Sequence, residues 1–593
     1  MSFTRTLFAA VSAAALSPAF AGDATDLEPV VITATRTETP LADLPVPVVV
    51  IDRNTIERNA GATLPDLLRL VAGVEIAQSG GPGQLATAFI RGTESDHVLV
   101  LIDGVELSPG SIGTPRLQDI DPAIVERIEI VKGPRSALHG SDAVGGVINI
   151  ITRRDADRVR AHAGAGSFNT QELGAGTGMR FGAGGFDIDI SRRESDGFPS
   201  LEGSDIDRGY ENTTVNLRLN ATLGPVGTTL RHYRSEGTSE YLDFLLAPVS
   251  QDFENHVTEL GFDWQLDAWR SQLSISEAQD RLAQNDSTTF ADTDRRVVDW
   301  QNDFLAGAHT LTAGAYLETE NVIAENFGRT EAETDVRALY LQEHWRSDAF
   351  DLLLAARSTD HERFGNEPSW NVDAGWQLTD VWSFRANIGR AFRAPNATFL
   401  YGPFGANPNL QPEISLNSEL GFHWRATERQ QVTLAAFRNR IDDMIDFDPI
   451  ASSYRNIEEV EIRGVELGHE WQAANWRGHA SVTLQEPENV QSGEPLLRRA
   501  EKSLRAGLSR NFGSIDAGFD VFASGERPDI DAATFQPVTE PGYVLLNLTT
   551  QWHISPDWSL AARLENLLDA DYQTASGYNT ADRSIFVTLR YRH

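Results

Sequence analysis

From about Asp155 to His593 the chain repeats segments of about ten residues in which apolar and polar side chains alternate, separated by polar turns and longer acidic stretches. A period of two places successive side chains on opposite faces of a strand. In YVLLNLTTQWHI (543–554), Val544, Leu546, Leu548, Trp552 and Ile554 fall on one face; Tyr543, Asn547, Thr549, Gln551 and His553 fall on the other. The final segment repeats this, with Ile585, Val587, Leu589 and Tyr591 opposite Thr588, Arg590 and Arg592. A face carrying Arg and Gln is too polar for a dry core, but it fits a wall with lipid outside and a wet lumen inside. A soluble sandwich with one solvated face is the plainer alternative. At about 20 residues for each strand with its turn or loop, the region predicts about 22 antiparallel strands.

Residues from Leu41 to about Ile151 have a different texture. A helix-like LPDLLRLV (64–71) lies among short apolar runs such as HVLVLIDGVEL (97–107), which predicts a compact α+β domain of roughly 110 residues. A barrel of about 22 strands leaves an open lumen, and a domain of this size, preceding it in the chain, would fill it. The predicted fold class is an all-β transmembrane barrel with an N-terminal α+β plug. The divisions are residues 1–21, 22–40, 41–154 and 155–593.

The first of these, with Arg5, an apolar run over 7–16 and the small-x-small ending Ala19, Phe20, Ala21, reads as a secretory signal peptide. A membrane anchor is the alternative, but the apolar run is shorter than the ~20 residues of a spanning helix. No cysteine is present, which excludes a disulfide-stapled scaffold. The formal charge of −35 would repel a nucleic-acid backbone, so no nucleic acid is expected as partner. It is compatible with solubility, with salt adaptation, or with oxygen ligands for hard cations. No nucleophile–base–acid set stands out, so neither an enzyme nor a redox cofactor is expected.

Three blocks carry a resemblance: FIRGTESDHVLVLIDGVEL (89–107), VERIEIVKGPRSALHGSDAVGGVINIIT (125–152) and ENLLDADY (565–572), with FRAP (392–395), NPNLQPE (407–413) and RGVELG (463–468) as smaller matches. The Gly-rich part of the second block is no phosphate cradle, because it lacks a Lys-Ser or Lys-Thr pair and precedes a strand; Gly140, Gly145 and Gly146 permit tight turns and close approach. Through these blocks the chain resembles the TonB-dependent outer-membrane receptors over nearly its whole mature length. SGGPGQLATAFIRGTESDHVLVLIDGVEL (79–107) and PLLRRA (495–500) resemble the cobalamin-transporting branch.

The resemblance implies a monomer in the bacterial outer membrane, seated in lipid by the barrel-assembly machinery. It would import cobalamin or another bulky nutrient with energy from TonB and its inner-membrane complex. A siderophore or haem receptor on the same scaffold is the alternative; a passive porin or adhesin, and more distantly a secreted hydrolase, are readings of a different class. The early stretch EPVVITATR supplies the TonB box, Glu28, Pro29, Val30, Val31, Ile32, Thr33 and Ala34, an extended segment able to add a strand to a partner's sheet. The alternative is a first plug strand.

The resemblance also assigns residues. Asp196, Asp205, Asp207, Asp243 and Asp252 match a calcium cluster that would order the extracellular loops. Leu85, Thr87, Glu94, Ile112, Gly113, Phe244 and Arg498 match ligand positions, although Glu94 replaces a neutral amide and Ala532 a tyrosine. Plug arginines Arg91 and Arg135 would need carboxylates inside the lumen, and Glu419 and Glu466 sit in matching motifs; lumen charges bathed by solvent are the alternative. The chain finishes on His593 where such barrels usually end on an aromatic residue, and period two puts His593 on the outward face of Tyr591.

Overall fold

Alternation along the second part of the chain becomes a closed barrel of 22 antiparallel strands, from Val159–Gly166 to Ser584–Arg592. The first and last strands pair from Arg160 with Arg592 to Gly166 with Phe586. The computed structural model describes residues 30–593 except 32, 38, 42–43, 108, 155–157, 243–246, 327, 449–450 and 533, and gives backbone alone for Val30, Val31 and Glu458. The predicted signal peptide, with Glu28, Pro29, Ile32, Asp243 and Phe244, lies outside the described residues.

The strand Phe350–His361 shows the physical rule of the wall. Leu353, Ala355, Arg357, Thr359 and His361 are buried on the inner face, while Leu354 and Ala356 are exposed outside. Farther along, the outward positions become Ser358 and Asp360, so the apolar band ends while the strand continues. Strands as long as Ser453–Ala473, 21 residues, exceed the ~9–11 needed to cross lipid and therefore project beyond it. The rims differ. On one, strands are joined by tight turns, as between Phe181 and Gly184 or Ala473 and Trp476; the other carries the long connections, as between Arg393 and Glu413 or Glu565 and Ser584, among shorter ones such as His361 to Gly365. Aromatic rings gather beside the tight turns, including the stacked Trp382–Trp424 and Phe350–Trp376 pairs, as expected of a membrane-interface girdle.

The plug inside this wall is built on a five-stranded sheet ordered Val48–Ile51, Val125–Lys132, Gly146–Thr152, Val98–Ile102, Val105–Glu106. Only the Val98–Ile102 and Gly146–Thr152 pair is parallel. The run predicted at 97–107 forms two of these strands, reversing at Asp103 and Gly104, both with positive φ. Helix Leu64–Leu68 is started by a capping box between Thr63 and Asp66. Its Leu64, Leu67 and Leu68 pack with Val100, Ile128, Ile130, Ile148 and Ile150 in the main hydrophobic core, which Tyr233, Val257 and Ala278 of the wall complete.

Candidate functional site between the plug and the wall

Two plug loops reach the long-loop rim. Residues 79–85 touch the wall where Gln84 Nε2 donates to the Glu240 carbonyl (2.6 Å), and residues 110–113 do so where Asn396 Nδ2 donates to the Ile112 carbonyl (3.1 Å). Their tips carry Leu85, 45 % exposed, and Ile112, 40 % exposed, the only large exposed hydrophobic residues among the described plug residues. Thr87 is half-buried below Leu85, its hydroxyl donating to the Ala77 carbonyl (3.4 Å). Gly113 has φ +68° and lies against the Arg393 guanidinium, where a side chain would collide. Glu94 forms an ion pair with Arg499 (2.6 Å), which also stacks over Phe89. Arg498 turns away to Asp529 (2.9 Å). Of the paired arginines in PLLRRA, it is therefore Arg499 that meets the plug, a division that the motif alone does not reveal.

Beneath the outer face a dense set of ion pairs fastens plug to wall. Arg91, buried and with φ +51°, meets Glu419 at 2.5 Å and both oxygens of Glu466 at 3.2 and 3.1 Å, with its guanidinium over the Phe437 ring. Glu466 also accepts from Lys132 Nζ (2.9 Å). Arg135 differs from the expected pairing with a glutamate. It precedes helix Ser136–His139, which packs on the wall strands from Phe350 to Thr379, and the carboxylate within reach there is Asp373, at 3.2 Å.

A third cluster is not marked as a site by the sequence, although both of its wall residues lie in family motifs. Arg393 of FRAP is buried and pairs with Asp96 (2.8 Å) and with Glu413 of NPNLQPE (3.4 Å). Glu413 also meets His97 Nε2 at 2.6 Å and accepts from the Ile445 N–H at 2.6 Å. Burial alone would depress the His97 pKa, but Glu413 outweighs it and the net displacement is upward. Burial pushes the neighbouring Asp96 carboxyl up to about 6 against the pull of Arg393.

The segment expected from the sequence to couple to a partner is held from both sides. Val30–Val31 pairs with Thr39–Pro40 as a small hairpin. Thr33 gives its backbone N–H (3.0 Å) and hydroxyl (2.6 Å) to the buried Glu129, and receives Asn149 Nδ2 (2.9 Å). Its carbonyl accepts from His139 Nε2 (3.0 Å). Ala34 is buried with Leu44, Val46 and Val131. From the wall, Gln342 donates to the Thr35 carbonyl (3.0 Å), and Asp299 pairs with Arg36 (2.6 Å), which lies over Tyr340. Thr33 and Arg36 line a lumen cavity of about 430 Å³, and a second of about 360 Å³ reaches Gly113 and Asn396 at the outer rim. The two share Glu106, His139, Arg295 and Tyr316. Arg295 bridges Glu106 of the plug (2.7 Å) to Glu318 and Glu320 of the wall (3.3 and 2.5 Å).

The aspartates assigned to calcium do not make a common site among the described residues, where no group of three or more His, Asp or Glu side chains could hold a metal. Asp196 accepts from Asn169 (3.1 Å), Asp252 accepts from Thr238 (2.7 Å) and Asn285 (3.2 Å), and Asp205 and Asp207 are exposed.

Comparison with known proteins agrees with this architecture. Residues 40–147 match the TonB-dependent Receptor Plug Domain and residues 151–567 match the TonB dependent receptor-like beta-barrel. The vitamin B12 transporter BtuB of Vibrio cholerae serotype O1 is 30% identical over 600 aligned positions, covering 96% of each chain. Among solved structures, the siderophore receptor PirA of Acinetobacter baumannii superposes with TM-score 0.79 at 16% identity, over 92% of this chain and 98% of that one. A variant of the ferric enterobactin receptor PfeA of Pseudomonas aeruginosa superposes with TM-score 0.81 at 17% identity, over 95% and 100%.

Proposed function

The chain belongs to the TonB-dependent receptors, and from that premise we propose that it imports a cobalamin across the outer membrane, with energy entering through residues 28–34. The observation that carries the choice of ligand is the likeness to the vitamin B12 transporters along the full length of both chains, plug and wall together. The solved siderophore receptors share the fold at 16–17% identity, too low to speak for their ligands.

The geometry supports a sequence of events. A bulky ligand lowered between the long loops rests on Leu85 and Ile112, whose exposed side chains offer apolar contact that desolvation makes favourable. The periplasmic partner adds a strand to Val30–Val31 and pulls. Tension reaches Thr33 and Arg36 first, and these line the inner of the two cavities. Breaking their bonds to Glu129 and Asp299 uncovers that cavity, and parting Arg295 from Glu106 joins it to the outer one. No bond of the ligand is made or broken.

A siderophore is the second reading, favoured by the carboxylate of Glu94 where the cobalamin branch has an amide. Binding of cyanocobalamin and of a ferric siderophore to the purified protein separates the two: saturable binding of the ferric chelate alone would overturn the cobalamin reading. Val31→Pro removes a donor and bends the strand, so uptake stops while ligand binding persists; equal loss of both would make the segment a mere plug strand. Calcium as a loop-ordering ion is a proposal from the sequence resemblance, and no step above passes through it. Its test is a calcium titration of ligand affinity and of loop protease resistance, and no change in either would remove it.

A further inference from the structure

At the tight-turn rim, on the periplasmic side of the plug, a cavity of about 520 Å³ opens between plug helix Arg53–Arg58 and the barrel seam. Its lining carries seven arginines against four carboxylates, in a chain whose net charge is −35. The excess is concentrated at the inner end. Arg53 and Arg153 of the plug share one carboxylate, Glu57 (2.8 and 3.3 Å), and Arg160 of the first strand takes Asp189 (2.6 Å). Arg590 of the last strand makes no ion pair or hydrogen bond with any described residue. Nη1 of Arg590 and Nε of Arg153 are both buried and without a hydrogen-bond partner among those residues.

Four guanidinium groups in this recess thus meet three carboxylates, Glu57, Asp189 and, at 3.9 Å from Arg160, Asp187, with Glu57 and Glu172 the carboxylates whose charge reaches Arg590. Burial and the charges of Arg53 and Arg160 draw Arg153 down to about 9, yet a guanidinium does not give up its proton in a protein. The cations still outnumber the carboxylates paired with them, and the two buried N–H groups without a partner make the recess a place for an anion from outside the chain. A planar fork with free N–H groups matches the oxygens of a phosphate better than a halide.

We propose that this recess binds a phosphate group, which ties the plug, through Arg153, to the strand that closes the barrel, through Arg590. The site lies away from the ligand-bearing face and from the coupling segment, and it is independent of which nutrient is imported. A phosphate group has two sources at this rim, the free ion and the headgroup of an inner-leaflet phospholipid.

The test uses the full-length protein in zwitterionic detergent, with calorimetric titration at matched ionic strength. One arm adds inorganic phosphate and the other a short-chain phosphatidylglycerol below its micellar concentration. Saturable binding in either arm supports the site, and the arm that responds identifies the source. Losing one charge-assisted bond predicts about tenfold weaker binding or worse in Arg590→Gln, with Arg510→Gln, exposed at the same rim and outside the cavity lining, unchanged. Arg153→Gln, on the plug, carries the same expectation should Arg590→Gln fail to assemble. Absence of saturable binding in both arms, or wild-type affinity in Arg590→Gln or Arg153→Gln, overturns the proposal. So does binding confined to an acidic peptide.

Discussion

The Glu129 carboxylate accepts both the backbone N–H and the hydroxyl of Thr33, at 3.0 and 2.6 Å, deep inside the plug. Glu129 belongs to Val125–Lys132, the second strand of the five-stranded plug sheet, so the segment proposed to be pulled is anchored on the sheet that organises the domain. Arg36, three residues on, is anchored instead on the barrel through Asp299. On the proposed function, tension loads a plug contact and a wall contact in immediate succession.

Asp299→Asn leaves the plug contact but weakens the wall contact. A charge-assisted bond of this kind contributes ~1.5–3 kcal/mol. The expected outcome is about tenfold or greater binding of a periplasmic TonB fragment in the absence of ligand, measured by surface plasmon resonance, with ligand affinity unaltered.

Glu466→Gln removes the carboxylate shared by Arg91 and Lys132. Leaving buried charge uncompensated costs about 3–5 kcal/mol. Hydrogen exchange in the plug strands should accelerate accordingly, while barrel strands remain protected and the heat-modifiable migration of the barrel on gels is retained.

Leu85→Ala and Ile112→Ala each delete much of an exposed apolar contact at the plug tips. With ~1.5–3 kcal/mol available from burying such a side chain, each should weaken ligand binding by about tenfold. Energy coupling should survive, so uptake at saturating ligand should approach that of the unaltered protein.

The His97 cluster makes docking of this part of the plug pH-dependent. Glu413 raises the folded-state pKa of His97 above its ordinary ~6.5, so its stabilisation is complete below about 6.5 and is lost as pH rises through the folded value. Asp96, raised to about 6 by burial, acts in the same direction because its ionisation in the folded state is disfavoured. Hydrogen exchange over residues 94–113, corrected for intrinsic rate, should show weaker protection as pH increases. His97→Gln should flatten the dependence, leaving the component from Asp96.

Much of the architecture could be read along the chain because a lipid-facing strand has to alternate. Tyr591 and Arg590 sort to opposite faces on period alone, and Tyr591 stacks with His593 outside as that period requires. Plug strands buried on both faces carry no such alternation, and there the domain was recognised by texture and motif. Contacts between distant segments were harder to read. Arg91 and Glu466 could be paired from their motifs, whereas Asp373 could not be assigned to Arg135 until the helix at 136–139 was laid against its wall strands. Arg393 and Glu413 lie in family motifs that give them no role, because one carboxylate serving two cations is a property of three-dimensional crowding. The loop aspartates were matched by position, and position does not say whether carboxylates converge.

Val159 and His593 exchange backbone hydrogen bonds, N–H to carbonyl in each direction, at 3.0 and 2.9 Å. The cylinder is thus fastened by its own opening and closing residues, like staves whose hoop is the final one fitted. The plug precedes every stave in the chain and lies inside the closed wall. Removing the strand that pairs with Val159–Gly166 would therefore open the vessel around its contents, and residues 584–593 have consequences for a domain hundreds of residues away in the chain.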